Sequence, residues 1–237
     1  MNREKLISYS CFYNGEYDRI IKAISNNEKV KDVNIKNVIT VFDKEYPSRL
    51  LDLRYPPLVL YYYGDLSLLN KECVGIVGSR KPCDYAIEAT KRLSKKLSDK
   101  VIVSGLAKGV DYYAQDNALK TIGILGCGID YIYPMCNYDL INKVKKEGLL
   151  LSEYPSMVKP LAYHFPFRNR IIAALSSTIY IMQSSQKSGT MTTINEALEL
   201  GKDIKVLPYD VFNSNGINNN DLINEGAMLI CNEEIAF

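Results

Sequence analysis

The sequence predicts an α/β fold: a doubly wound, mostly parallel sheet of extended Rossmann-like type, with a short N-terminal helical segment. Three observations carry that prediction. From Cys73 onward, short apolar runs alternate with helical stretches of roughly ten to fifteen residues. Those runs lack polar alternation, which means burial on both faces, as in a parallel sheet covered by helices. Each run also leads into a loop with small residues, the form of a repeated βα unit with right-handed crossovers.

Residues 1–44 read as a polar, helix-prone extension with apolar positions such as Leu6, Ile7, Phe12, Ile20 and Ile24 at roughly helical spacing. Asn34–Ile39 is ambiguous. The proline pair Pro56-Pro57, the run Leu58–Tyr63 and the stop Gly64-Asp65 read as a strand. The six strands of the repeating section are expected at 74–77, 101–103, 122–125, 149–151, 179–182 and 204–207. Helices are expected between them near 84–98, 109–119, 137–147, 167–176 and 190–201.

A chain of 237 residues with 47% hydrophobic and 24% charged residues can bury a sizeable core. Its net charge is +2, so any binding of a polyanion must come from a local basic patch. No apolar run is long enough for a membrane span or a secretory signal, and a cytoplasmic protein with reduced thiols is expected. The six cysteines form no C-x-x-C pair and there is one histidine, so neither a metal site nor a cofactor is expected. G-x-G-x-x-G, P-loop and G-x-S-x-G patterns are absent from the sequence.

In such sheets ligands bind beyond the carboxyl ends of the strands, so the loops there carry the functional expectation. They deliver Gly78-Ser79-Arg80, Ser104–Asp111 with Lys108, Gly126-Cys127-Gly128, Ser152–Pro155, and Ser184–Thr190 with Lys187. Basic residues from separate loops thus gather on one edge, where helix N-termini add backbone donors for phosphate. His164-Phe165-Pro166-Phe167-Arg168-Asn169-Arg170 concentrates the sole histidine, two phenylalanines and two guanidiniums in seven residues. Forked guanidiniums beside flat rings suit a ligand with phosphates and bases. The other reading is a helix start whose arginines are solvated or paired with carboxylates. Position at the sheet edge favours the clamp, with His164 positioning the loop. Asp111, Asp130 and Glu153 read as capping or charge-balancing residues more readily than as acids or bases.

These residues, in this order and spacing, resemble the DprA (Smf) family of DNA-processing proteins. The resemblance runs from about Tyr46 to Ile230 and rests on Val77–Arg80, Ser104–Asp111, Leu125–Asp130 with Tyr133-Pro134, Ser152–Pro155 and His164–Ala173. Ser188-Gly189-Thr190, Ala197–Glu199 and Leu222–Ala227 extend it. It implies a Rossmann-like DNA-binding domain over 45–237 that binds single-stranded DNA, forms a homodimer and helps load the RecA recombinase in natural transformation. It further implies DNA contacts at Arg80, Lys108, Phe165, Arg168 and Arg170, without catalysis; Gly78, Ser79, Asn169 and Lys187 are expected to join them from their places in the same segments. Many relatives carry a C-terminal winged-helix-like domain, which is not expected here.

The alternative is an enzyme of nucleoside-monophosphate phosphoribohydrolase type at the same sheet edge. That chemistry uses a G-G-x-G-T-x-x-E loop. Here Gly189-Thr190 is followed by Met191-Thr192-Thr193, and Glu196 lies nearly a turn further on.

Overall fold

The computed structural model describes residues 1–186 and 188–235. Lys187, one of the expected DNA contacts, lies outside the described residues. Two helices, α1 (Arg3–Phe12) and α2 (Tyr17–Ser25), open the chain. The Asn2 side chain accepts from Lys5 N at 2.9 Å, which starts α1 with an ordinary N-cap. Of the ambiguous stretch after them only Val38 and Ile39 are strand, in β1 (Val38–Thr40), which pairs with β2 (Val59–Gly64). β1 therefore joins the main sheet although it precedes residue 45.

The repeating section follows as β3 (Cys73–Val77), α3 (Asp84–Lys96), β4 (Val101–Ser104), α4 (Val110–Asp116), β5 (Thr121–Leu125), α5 (Tyr138–Glu147) and β6 (Leu149–Ser152). Then come α6 (His164–Leu175), β7 (Thr178–Ile181), α7 (Gly189–Glu199), β8 (Asp203–Val206), α8 (Ile217–Asn224), β9 (Met228–Leu229) and α9 (Asn232–Ile235). Every expected strand is present. β9 and α8 went unread because a two-residue strand and an asparagine-rich helix carry little periodicity.

The sheet order is β1-β2-β6-β5-β4-β3-β7-β8-β9. β1 and β2 are antiparallel additions at one edge, and the pairings from β6 through β9 are parallel. The α/β, mostly parallel Rossmann-like architecture with short N-terminal helices is thus the observed one. Alternate residues of β3 serve opposite faces. Cys73 and Val77 pack in one apolar cluster with Ile171, Ile172, Ala174 and Ile194, from α6 and α7. Val74 and Ile76 pack in another with Ala89, Leu93, Val110 and Ala114, from α3 and α4. Burial on both faces explains why these strands read as unbroken apolar runs. At roughly 25 cal/mol per Å² of apolar surface, these layers supply the main favourable term of folding.

The chain builds outward from β3 to β6 on one side and then returns to add β7, β8 and β9 on the other. The two directions part between β3 and β7, whose carboxyl ends lie side by side in the register Val77↔Ile181. A doubly wound sheet leaves its ligand crevice at such a switch point.

Candidate nucleic-acid interface

A cleft of about 820 Å³ opens at this switch point. Its walls come from the turn after β3 (Gly78, Ser79, Arg80), the loop after β7 (Gln183, Ser184, Ser185) and the first turns of α6 and α7. Two helices of 12 and 11 residues thus aim their N-termini at one space, where their dipoles favour an anion.

α6 starts at His164, three residues earlier than the periodicity predicts. Pro166 falls in its first turn, where a missing N–H costs nothing. Phe165 therefore stands on a helix rather than in a loop. Its ring lies 5.4 Å from that of Tyr133, tilted by 37°, and the Arg80 guanidinium sits 5.7 Å from its centroid. Arg80 is exposed. This trio sets a cation beside two tilted rings in the cleft, and it can offer charge to a phosphate and a flat face to a base.

The turn that carries Arg80 is strapped on both sides. Ser79 N donates to Gln183 O at 2.7 Å, Val110 N donates to Ser79 O at 3.1 Å, and Lys81 N donates to Ser79 Oγ at 3.0 Å. Gly109 has φ +76° and lies against the backbone of Ser79 and Arg80, where a Cβ would come within 2.8 Å of Arg80 Cα. Only glycine combines that backbone angle with that approach. Lys108 is exposed on this loop, beside Ala107 at the cleft rim but outside the lining itself. Leu106 occupies the left-handed region at φ 55°, a sparsely populated conformation for a leucine. It is held there from both ends: Leu106 N donates to Gln115 Oε1 at 2.9 Å, and Asn137 Nδ2 donates to Leu106 O at 2.9 Å and Ala107 O at 3.0 Å. Gln115 and Asn137 fix the shape of the Lys108 loop, and sequence reading assigned them no role.

The two arginines of α6 behave differently from the expectation. Arg168 lines the floor of the cleft, yet it is 4% exposed and is committed to the protein. It donates to Gly105 O at 2.8 Å, to Ile124 O, and through Nε to Asn169 Oδ1 at 3.1 Å. Its guanidinium fills the space a side chain on Gly105 would need. Burial lowers its pKa, opposed mainly by Asp111. Burial also pushes Asp111 above the usual carboxylate range, with Arg168 and the Gly105 N–H holding it back. The geometry makes Arg168 a brace under the 105–109 loop.

Arg170 is corrected outright as a cleft residue. It is 2% exposed and lies outside the lining. Its fork grips Glu153 with two bonds of 2.6 and 2.7 Å, and it also donates to Tyr55 O and Phe167 O at 2.8 Å each. With four of its five donors bonded inside the protein and almost no access to solvent, it is poorly placed to meet a phosphate. The carboxylate-paired reading holds for this residue. His164 also faces away from the cleft: it is fully buried, stacks on Tyr154 at 4.0 Å and meets Glu16 Oε1 at 3.1 Å through Nε2.

Asn169 lines the cleft and links the two helices, donating to Gly189 O at 3.1 Å. The far wall depends on residues missed in sequence. Asn219 is fully buried, and its Oδ1 accepts from both Ser184 N and Ser184 Oγ at 2.9 and 2.8 Å. Asn218 Nδ2 donates to Ser184 Oγ at 2.7 Å. The run of consecutive asparagines at 218–220 was the available signal, since such polar side chains on a helix packed under a loop usually bond its backbone. Among the described residues there is no group of His, Cys, Asp and Glu able to hold a metal ion, and no helix long and apolar enough to cross a membrane.

The chain was compared with known proteins. Residues 37–236 match the family model of DNA recombination-mediator protein A. The DNA processing protein DprA of Bacillus subtilis is 38% identical over 208 residues, covering 85% of this chain and 70% of the relative. Protein Smf of a Synechocystis strain is 42% identical over 207 residues, covering 82% of this chain and 52% of the relative. The crystal structure of DprA from Streptococcus pneumoniae superposes with a TM-score of 0.80 at 33% identity, covering 92% of this chain and 79% of that one. DNA processing protein A from Helicobacter pylori, a structure that concerns a single-stranded-DNA binding mode, gives 0.76 at 38% identity over 81% of this chain and 90% of that one. The chain belongs to the DNA recombination-mediator protein A (DprA, Smf) family.

Proposed function

We propose that this protein binds single-stranded DNA in the switch-point cleft and acts as a non-enzymatic recombination mediator. In this reading it works in the cytoplasm as a homodimer that protects incoming DNA and helps load RecA during natural transformation. The observation that carries the reading is the exposed Arg80 guanidinium held 5.7 Å from Phe165, beneath two converging helix N-termini. A single strand can present a phosphate to Arg80 and an unstacked base to Phe165 and Tyr133, whereas duplex DNA keeps its bases paired and stacked. Lys108 extends the positive rim. The single-stranded-DNA binding attributed to the Helicobacter pylori relative supports the same choice of ligand.

The hydrolase alternative draws no support from the cleft. Asp111 is the carboxylate in its lining and already accepts from Gly105 N at 3.0 Å, while Glu196 stands outside that lining.

The test is a fluorescence anisotropy titration with oligothymidylate and with duplex of equal length across a salt series. The expected result is preference for the single strand, with affinity falling as salt rises. Equal affinity for duplex, or binding indifferent to salt, contradicts the proposal. RecA loading is read separately, as filament formation on strands coated with single-stranded-DNA-binding protein, with and without this chain.

A further inference from the structure

A second groove, of about 310 Å³, lies on the other side of Arg80. Among the described residues Arg80 alone lines both it and the main cleft. Gly109, Tyr112, Tyr113 and Cys136 form much of its wall. Tyr112 and Tyr113 stand edge to face, with centroids 5.4 Å apart and planes at 85°, so they present ring surfaces in two directions. Both are partly exposed. Lys91 Nζ lies 5.2 Å from the Tyr113 centroid. Lys81 and Lys108, both exposed, are chain neighbours of the lining residues Arg80 and Gly109. Two carboxylates act on Tyr112, Asp116 and Asp139, and Asp116 is balanced by Lys143 at 3.8 Å.

We infer that this groove is a second nucleotide subsite, so that one DNA strand runs from the main cleft over Arg80 and onto Tyr112 and Tyr113. The inference rests on the reading of the cleft as a single-stranded-DNA site. A strand leaving the cleft at Arg80 meets either solvent or this groove, and the groove repeats the combination of cations and half-exposed rings found in the cleft. Ring faces bind bases with little regard to sequence, and cations along a path track the backbone. The forked guanidinium of Arg80 at the saddle has donors enough to serve a phosphate on each side.

Cys136 supplies a reporter in the groove wall. It is exposed, as is Cys231 near the chain's end, which lines neither cavity. The experiment compares oligothymidylates of about 5 and about 15 nucleotides, lengths that bracket a single site and an extended one. Maleimide labelling of each cysteine is followed by peptide mass spectrometry. The longer oligomer is expected to slow labelling of Cys136 severalfold, the shorter one to leave it near the free rate, and Cys231 to react equally throughout. Tyr113→Ala is expected to remove about tenfold of the affinity that the longer oligomer gains over the shorter, the contribution of one stacked base. If both oligomers bind wild type while Cys136 labels at the free rate, the inference is overturned and the cleft reading stands. If neither oligomer binds, both fall together. The labelling arm uses wild-type protein, so a poorly folded variant cannot decide the outcome.

Discussion

The β3 turn and helix α6 carry the same residue type to opposite ends. Arg80 sits on a three-residue turn, exposed, over the ring of Phe165. Arg168 and Arg170 sit on a helix whose later residues Ile171–Leu175 are all buried, and each is drawn into the protein with that helix. The inward face of a central helix offers its polar residues no solvent. Its guanidiniums persist by bonding inside the protein, Arg170 to Glu153 and Arg168 to Gly105 O and Ile124 O. Three arginines in basic motifs therefore divide into one exposed cation and two buried braces.

The largest effect should come from attacking a brace. Arg170→Ala leaves Glu153 buried without its partner, and the loss of stability should be about 3–5 kcal/mol in a urea titration. A loss below about 1 kcal/mol would place Arg170 among ordinary surface residues and break the contrast. Arg80→Ala sharpens it from the other side. Its unfolding free energy should stay within about 0.5 kcal/mol of wild type while single-strand affinity falls. Phe165→Ala should weaken binding by about 1–3 kcal/mol, the range for one stacked base, with the salt slope unchanged.

The buried Asp111 beneath the same loop predicts a pH effect. Its folded pKa is raised by burial, so the native state favours the protonated form. That contribution is full below the unfolded value of about 3.9 and is lost as pH rises through the folded value. Asp111→Asn should therefore gain stability relative to wild type as urea midpoints are followed upward from about pH 4. A constant difference across that range would contradict the assignment. The smallest effect concerns thiols. Burial pushes Cys127 up to about 12, so at about pH 8 a maleimide should label Cys136 and Cys231 and leave Cys127 intact until denaturant is added.

Much of this molecule was legible before the structure. Double-sided burial makes a strand such as Val101–Val103 or Ile122–Leu125 visible as an unbroken apolar run. The topology then places Gly78, Ser79, Arg80, Phe165, Arg168 and Asn169 around one cleft. What sequence could not separate was availability from presence. Arg170 and Arg80 look alike in a motif, and only the position of Glu153 across the core tells them apart. The loop supports were hidden for a related reason. Gln115, Asn137 and Asn219 act on backbone atoms seven or more residues away, a distance that no local spacing reveals. β1 escaped because three residues paired only with β2 leave almost no periodic trace.

The central claim is that Arg80, rather than the arginines of α6, meets the phosphate of a single strand. It is tested most directly by the slope of log affinity against log salt for oligothymidylate, measured on wild type and Arg80→Ala. One lost phosphate contact on a single strand should flatten the slope by about 0.7. Identical slopes for the two proteins would show that Arg80 is not the contact and would return the search to the rest of the rim.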